Sequence, residues 1–143
     1  MSAEKRIFPG ENPRREVDGI GLMRLAQPEI QEMVQPLCSR KLGHISRLIV
    51  ESALELESRR SNPSSHNYVE KAGKIFQIIT GENSSNYDLA GASVCGDRGS
   101  TTPLFMVSMA IADMGWNESK KINRTLRGEK AELRRAIVSE LLK

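Results

Sequence analysis

The sequence predicts an all-α fold of about five helices, and three observations predict it. Two long windows carry apolar residues at the 3.6-residue period of an amphipathic helix. One contains Leu42, Ile45, Leu48, Ile49, Ala53 and Leu56, the other Val69, Ala72, Ile75, Phe76 and Ile79. A third window, Leu104 to Met114, is apolar on nearly every side, which places a helix at the centre of a bundle. Beyond it, Ile111 to Lys143 holds two helix starts, two stops and the densest positive charge in the chain.

A chain of 143 residues suits one compact domain. Its 38% hydrophobic and 27% charged residues fit a soluble globular protein and argue against a wholly disordered one. With aromatics at 4%, aliphatic side chains and methionine must supply most of the packing. No apolar run approaches the length of a membrane span, so no membrane partner is expected. The opening segment MSAEKRIFPGENPRREVDG lacks the apolar centre of a signal peptide. Two cysteines, Cys38 and Cys95, are too few for a disulfide framework, which makes a reducing cytoplasm the expected setting.

Charge is unevenly placed. From Asn117 to Lys143 there are eight Lys/Arg against four Glu, a net +4, whereas Gly81 to Trp116 carries one Arg against four acids, a net −3. Such asymmetry suits a polyanionic partner at the basic end, or a solvated salt-bridged surface.

Taken in order, residues 1–19 read as a disordered arm, rich in proline, glycine and mixed charge, with the Arg14–Arg15 pair within it. Residues 20–143 form the all-helical domain, divided into N-terminal helices over 20–64 and a helix-turn-helix-like part over 65–143. PEIQEMVQP predicts a short helix begun at Pro28 and interrupted near Pro36. The next helix runs from about Arg40 to Arg60, with Arg47, Glu51, Glu55 and Arg59 away from its apolar stripe. That stripe belongs in the core, with a dimer seam or a protein partner as its second use. SNPSSHN is a loop by composition. Asn67 then starts a helix with Glu70 placed for a capping box, and Gly81 closes it.

Glu82 to Thr101 has no periodicity, and its GASVCGDRGSTT run can form an anion-binding nest. It is not a P-loop, because Asp97 and Arg98 replace the Lys-Ser/Thr pair. Thr102 caps the central helix and Pro103 occupies its first turn. Gly115 ends that helix in a left-handed conformation and Asn117 caps the next. The last helix begins near Glu129, with Leu133, Ala136, Ile137 and Leu141 on its buried face. Arg134 and Arg135 flank this stripe, and Lys130 and Lys143 complete its basic set.

Between Asn117 and Gly128 only Ile122 and Leu126 are large and apolar, one turn apart, while the rest is long and polar. A short helix with two anchors and a polar face suits presentation to a partner. Buried helix, tight turn, short polar helix and amphipathic helix follow one another as in a helix-turn-helix. INRTLRGE (Ile122 to Glu129) and MGW-NES-K (Met114 to Lys120) resemble the recognition-helix end and the turn of the lambda-repressor-like regulators. The interval from Gly115 to Ile122 is one residue longer than that family's spacing, equivalent to a rotation of about 100°. The resemblance implies that Glu118, Ser119, Lys120, Lys121 and Asn123 face base edges, beside Asn117, with Arg124, Arg127 and Lys130 nearer phosphates.

The residue types support those roles by themselves. Lys and Arg displace counterions from phosphates, Asn123 can pair with adenine, and Lys121 with guanine. The expected function is sequence-specific binding of double-stranded DNA by a homodimer, because one short helix reads few base pairs. The alternative is a helical protein–protein interaction module, and a third reading is non-specific RNA binding. Catalysis has little support. His44 and His66 form neither zinc-ligand spacing with Cys38 or Cys95 nor a nucleophile pair, so no metal, cofactor or enzymatic activity is expected.

Overall fold

The computed structural model describes residues 28–59, 67–81, 101–128 and 130–143, leaving aside the side chains of Glu29 and Lys130. Six helices make up this part: α1 (Pro28–Ser39), α2 (Gly43–Arg59), α3 (Tyr68–Thr80), α4 (Thr102–Asp113), α5 (Trp116–Thr125) and α6 (Lys130–Leu141). No strand occurs among the described residues. The expected arm, the SNPSSHN loop before Asn67, the glycine-rich nest up to Ser100, His66 and Cys95 lie outside them.

The apolar periodicity sets the layers. α4 is the central rod, buried from Thr102 through Ser108 and again at Ala110 and Ile111, with α1 and α3 as its main neighbours and α2 also against it. α2 buries Ile45, Leu48, Ile49, Val50, Ala53 and Leu56, with Leu42 buried just before it, and is covered by α1, α6, α5 and α4. α6 lies across α2 and α3, and α5 rests on α2. The α2 stripe is therefore filled by the chain's own helices, as its core reading expects, rather than left open as a dimer seam. Among the described residues no helix is long and apolar enough to cross a membrane.

Several boundaries differ from the sequence expectation, each for a local reason. α1 continues through Pro36 to Ser39. The proline removes only the bond to the carbonyl of Glu32, an exposed residue, while Leu37 beyond it is fully buried. The α1–α2 boundary is a Schellman turn, not continuous helix from Arg40. The Lys41 N–H donates to Cys38 O (3.0 Å) and the Leu42 N–H to Leu37 O (2.9 Å), with Lys41 at φ 59°.

α3 begins as expected and ends at Gly81 in the left-handed region, φ 76°. Asn67, however, makes no side-chain capping bond, and Val69 is exposed at 46%. Lys71 is buried instead, its Nζ donating to Leu141 O at 3.2 Å and so capping the C-terminal end of α6. The N-cap of α4 is Thr101 rather than Thr102. On α6, Ala136 is exposed and Val138 takes its place in the interior. Arg134 Nε stands 2.8 Å from Glu55 Oε1, tying α6 to α2.

Candidate nucleic-acid interface

The turn before α5 is extended, not left-handed. Met114 lies at φ −75°, ψ 168° and Gly115 at φ −57°, ψ 144°. Gly115 is thus the N-cap and its carbonyl accepts the Ser119 N–H at 3.0 Å, so α5 starts at Trp116 and Asn117 lies within its first turn. Gly128 likewise lacks a positive φ; α5 ends at Thr125 and the chain turns through Leu126.

Ile122 and Leu126 fix the rotation of α5, both buried as expected. At about 100° per residue their side also takes in Ser119 and Asn123. Ser119 is fully buried, its hydroxyl donating to Trp116 O at 3.1 Å. It is not a base reader. Asn123 is half-buried, and its Oδ1 accepts the backbone N–H of Ile45 at 3.0 Å. That N–H belongs to the first turn of α2, where intrahelical partners are lacking, and Leu42 before it offers no side-chain acceptor. Asn123 caps α2 from a distance of 78 residues in sequence. The role of adenine reader passes from it.

What remains outward is a compact basic face. Asn117, Glu118, Lys120, Lys121, Arg124 and Arg127 are exposed. Lys120, Lys121 and Arg124 fall within an arc of about 100° on the helix wheel, with Asn117 inside it. Among the described residues the counter-charge paired with this face is Glu118, 3.8 Å from Lys121 Nζ in an exposed i,i+3 pair that screening makes weak. Lys130 opens α6, and its side chain is outside the described set.

Two residues that the sequence reading did not assign complete the site. Arg40, in the α1–α2 turn, donates from Nη1 to Met114 O at 2.8 Å and lies 3.4 Å from Ser119 Oγ. It staples the α1–α2 turn to the turn before α5, a long-range contact with no local sequence signal. Trp116 is 47% exposed, with Lys120 Nζ 5.1 Å and Arg40 Cζ 5.9 Å from its ring centroid. Its signal was legible: counted from a helix start at 116, it lies about 100° away from the Ile122–Leu126 stripe.

Chemically, this face can neutralise phosphates and donate hydrogen bonds. Among the described residues no group of three His, Cys, Asp or Glu is placed to hold a metal ion, and His44 is buried in the packing of α2. No protein-family model matches the chain, and no curated protein or solved structure matches it.

Proposed function

We propose that this chain binds double-stranded DNA through the outward face of α5. The observation that carries the reading is the Lys120–Lys121–Arg124 arc on a short helix whose inner side is fixed to α2 through Asn123 and to the α1–α2 turn through Arg40. A helix about 10–12 Å across with its side chains fits a major groove about 12 Å wide, and ten residues give about 15 Å of it. In that pose Asn117, Lys120 and Lys121 approach base edges. Arg124 and Arg127 approach phosphates, and Glu118 can accept from a cytosine amino group. The support comes from α2 rather than from α4, so the arrangement differs from a helix-turn-helix while presenting the same kind of helix. Two copies would double the contact, paired through a surface other than the covered stripe of α2. Sedimentation of the protein–duplex complex gives the copy number.

The test is a titration with random-sequence duplex at two salt concentrations, using the wild type and the Lys120→Ala/Lys121→Ala/Arg124→Ala variant. Each phosphate contact contributes about 0.9 to the slope of log affinity against log salt. On random-sequence duplex, with no cognate base edges to hold them, Lys120 and Lys121 contact phosphates as Arg124 does, so the variant's slope is expected to fall by about 2 to 3. Helical content should not change, because all three side chains are exposed. Equal retention of both proteins on DNA would sink the proposal. A protein partner is the second reading, favoured by half-exposed Trp116 beside Arg40, residue types that anchor protein interfaces. It predicts no DNA binding even at low salt.

A further inference from the structure

The Trp116 indole takes no part in the Ile122–Leu126 anchor of α5. It is the chain's single tryptophan, and among the described residues Val69 is the only other exposed large hydrophobic side chain. The two cations over its ring differ in freedom. The Arg40 guanidinium is held by Met114 O, whereas exposed Lys120 pairs with no carboxylate among the described residues and moves on a flexible stem. A half-bare aromatic ring ringed by cations is what an unpaired nucleobase requires. The ring stacks any base through its π-face, and the cations hold the flanking phosphates. Bases inside an intact duplex have their faces covered by their neighbours and make no use of the ring.

We infer that Trp116 is a stacking platform for one unpaired base, and that the preferred ligand of the α5 face is a DNA duplex adjoining a single-stranded segment. This inference rests on the α5 face binding DNA. As the base arrives, Lys120 leaves the ring for a neighbouring phosphate, and Arg40 keeps the indole oriented. One cation–π contact is exchanged for a base stack and a phosphate contact.

A single tryptophan makes its emission a direct reporter. The full chain is titrated with three labelled DNAs: a blunt duplex, the same duplex with a short overhang, and that overhang made abasic so that phosphates remain without bases. The base-bearing overhang is expected to quench Trp116 and to bind about tenfold tighter than the other two. In Trp116→Leu, followed by anisotropy of the labelled DNA, the preference for the base-bearing overhang over the other two DNAs disappears. Equal affinity for all three DNAs in the wild type, or a preference that survives in Trp116→Leu, overturns the stacking role alone. Binding of the DNAs with no change in emission also overturns it and leaves Trp116 as an anchor for a protein partner. Failure of every DNA to bind overturns the DNA reading together with it.

Discussion

At the scale of single residues, Asn123 shows how one side chain can look like a reader and act as a cap. Its carbonyl oxygen, 3.0 Å from the Ile45 nitrogen, satisfies one of the donors that every helix leaves open at its start. Asn123→Ala should therefore destabilise the protein by about 1 kcal/mol in denaturant titrations. Asn123→Asp should hold or raise stability, because a carboxylate there keeps the acceptor and favours the positive end of α2. An alanine variant with unchanged stability but altered base preference would return Asn123 to the reading face. Lys41 gives the opposite sign. It occupies the left-handed position of the Schellman turn, where a β-carbon is unfavourable and glycine is at ease. Lys41→Gly should raise the unfolding midpoint by the equivalent of roughly 0.5–1 kcal/mol, and a lowered midpoint would mean that the Lys41 stem makes contacts that matter more.

At the scale of elements, what the sequence revealed and what it hid divide along the range of the interactions. The stripes of α2, α3 and α4 were legible because a 3.6-residue period is a local property: Leu42 to Leu56, Ala72 to Ile79 and the all-round apolar α4 are buried as read. The two anchors of α5 were legible for the same reason. What lay beyond local reading depends on partners far along the chain. Val69 was assigned to the α3 stripe, but Lys71 occupies the buried side of that first turn because the end of α6 offers it a carbonyl. The face of α5 was half legible: its charges stand out, yet Ser119 and Asn123 turn inward because the α1–α2 turn supplies Arg40 and the start of α2 supplies the Ile45 N–H. Lys71 carries its own expectation. Lys71→Met keeps the apolar stem and removes the charge-assisted bond to Leu141 O, so amides in the last turn of α6 should exchange faster and stability fall by about 1–2 kcal/mol. Unaltered exchange there would show that the carbonyl has another adequate partner.

At the scale of the whole molecule, α2 and α4 divide the labour. α2 is about 25 Å long and contacts both the presented helix and the closing helix: α5 rests on it, and α6 is tied to it through the Arg134–Glu55 pair. α4 makes the interior, gathering α1, α3 and α2 around side chains that are apolar apart from buried Thr102 and Ser108 and exposed Asp113. Integrity of the bundle and charge of the face should therefore respond to different substitutions. Ile111 is fully buried on α4, and Ile111→Asp places a carboxylate there. The cost of an uncompensated buried charge, about 3–5 kcal/mol, is comparable with the ~5–15 kcal/mol that holds a domain folded. This variant should lose its cooperative thermal transition. Lys121→Asp makes a larger change of charge, but at a side chain 68% exposed, so its melt should overlay that of the wild type while duplex affinity falls. A normal melt for Ile111→Asp would show that α4 is peripheral and that α5 is held by some other frame, and a shifted melt for Lys121→Asp would show that the basic face is part of the fold rather than presented by it.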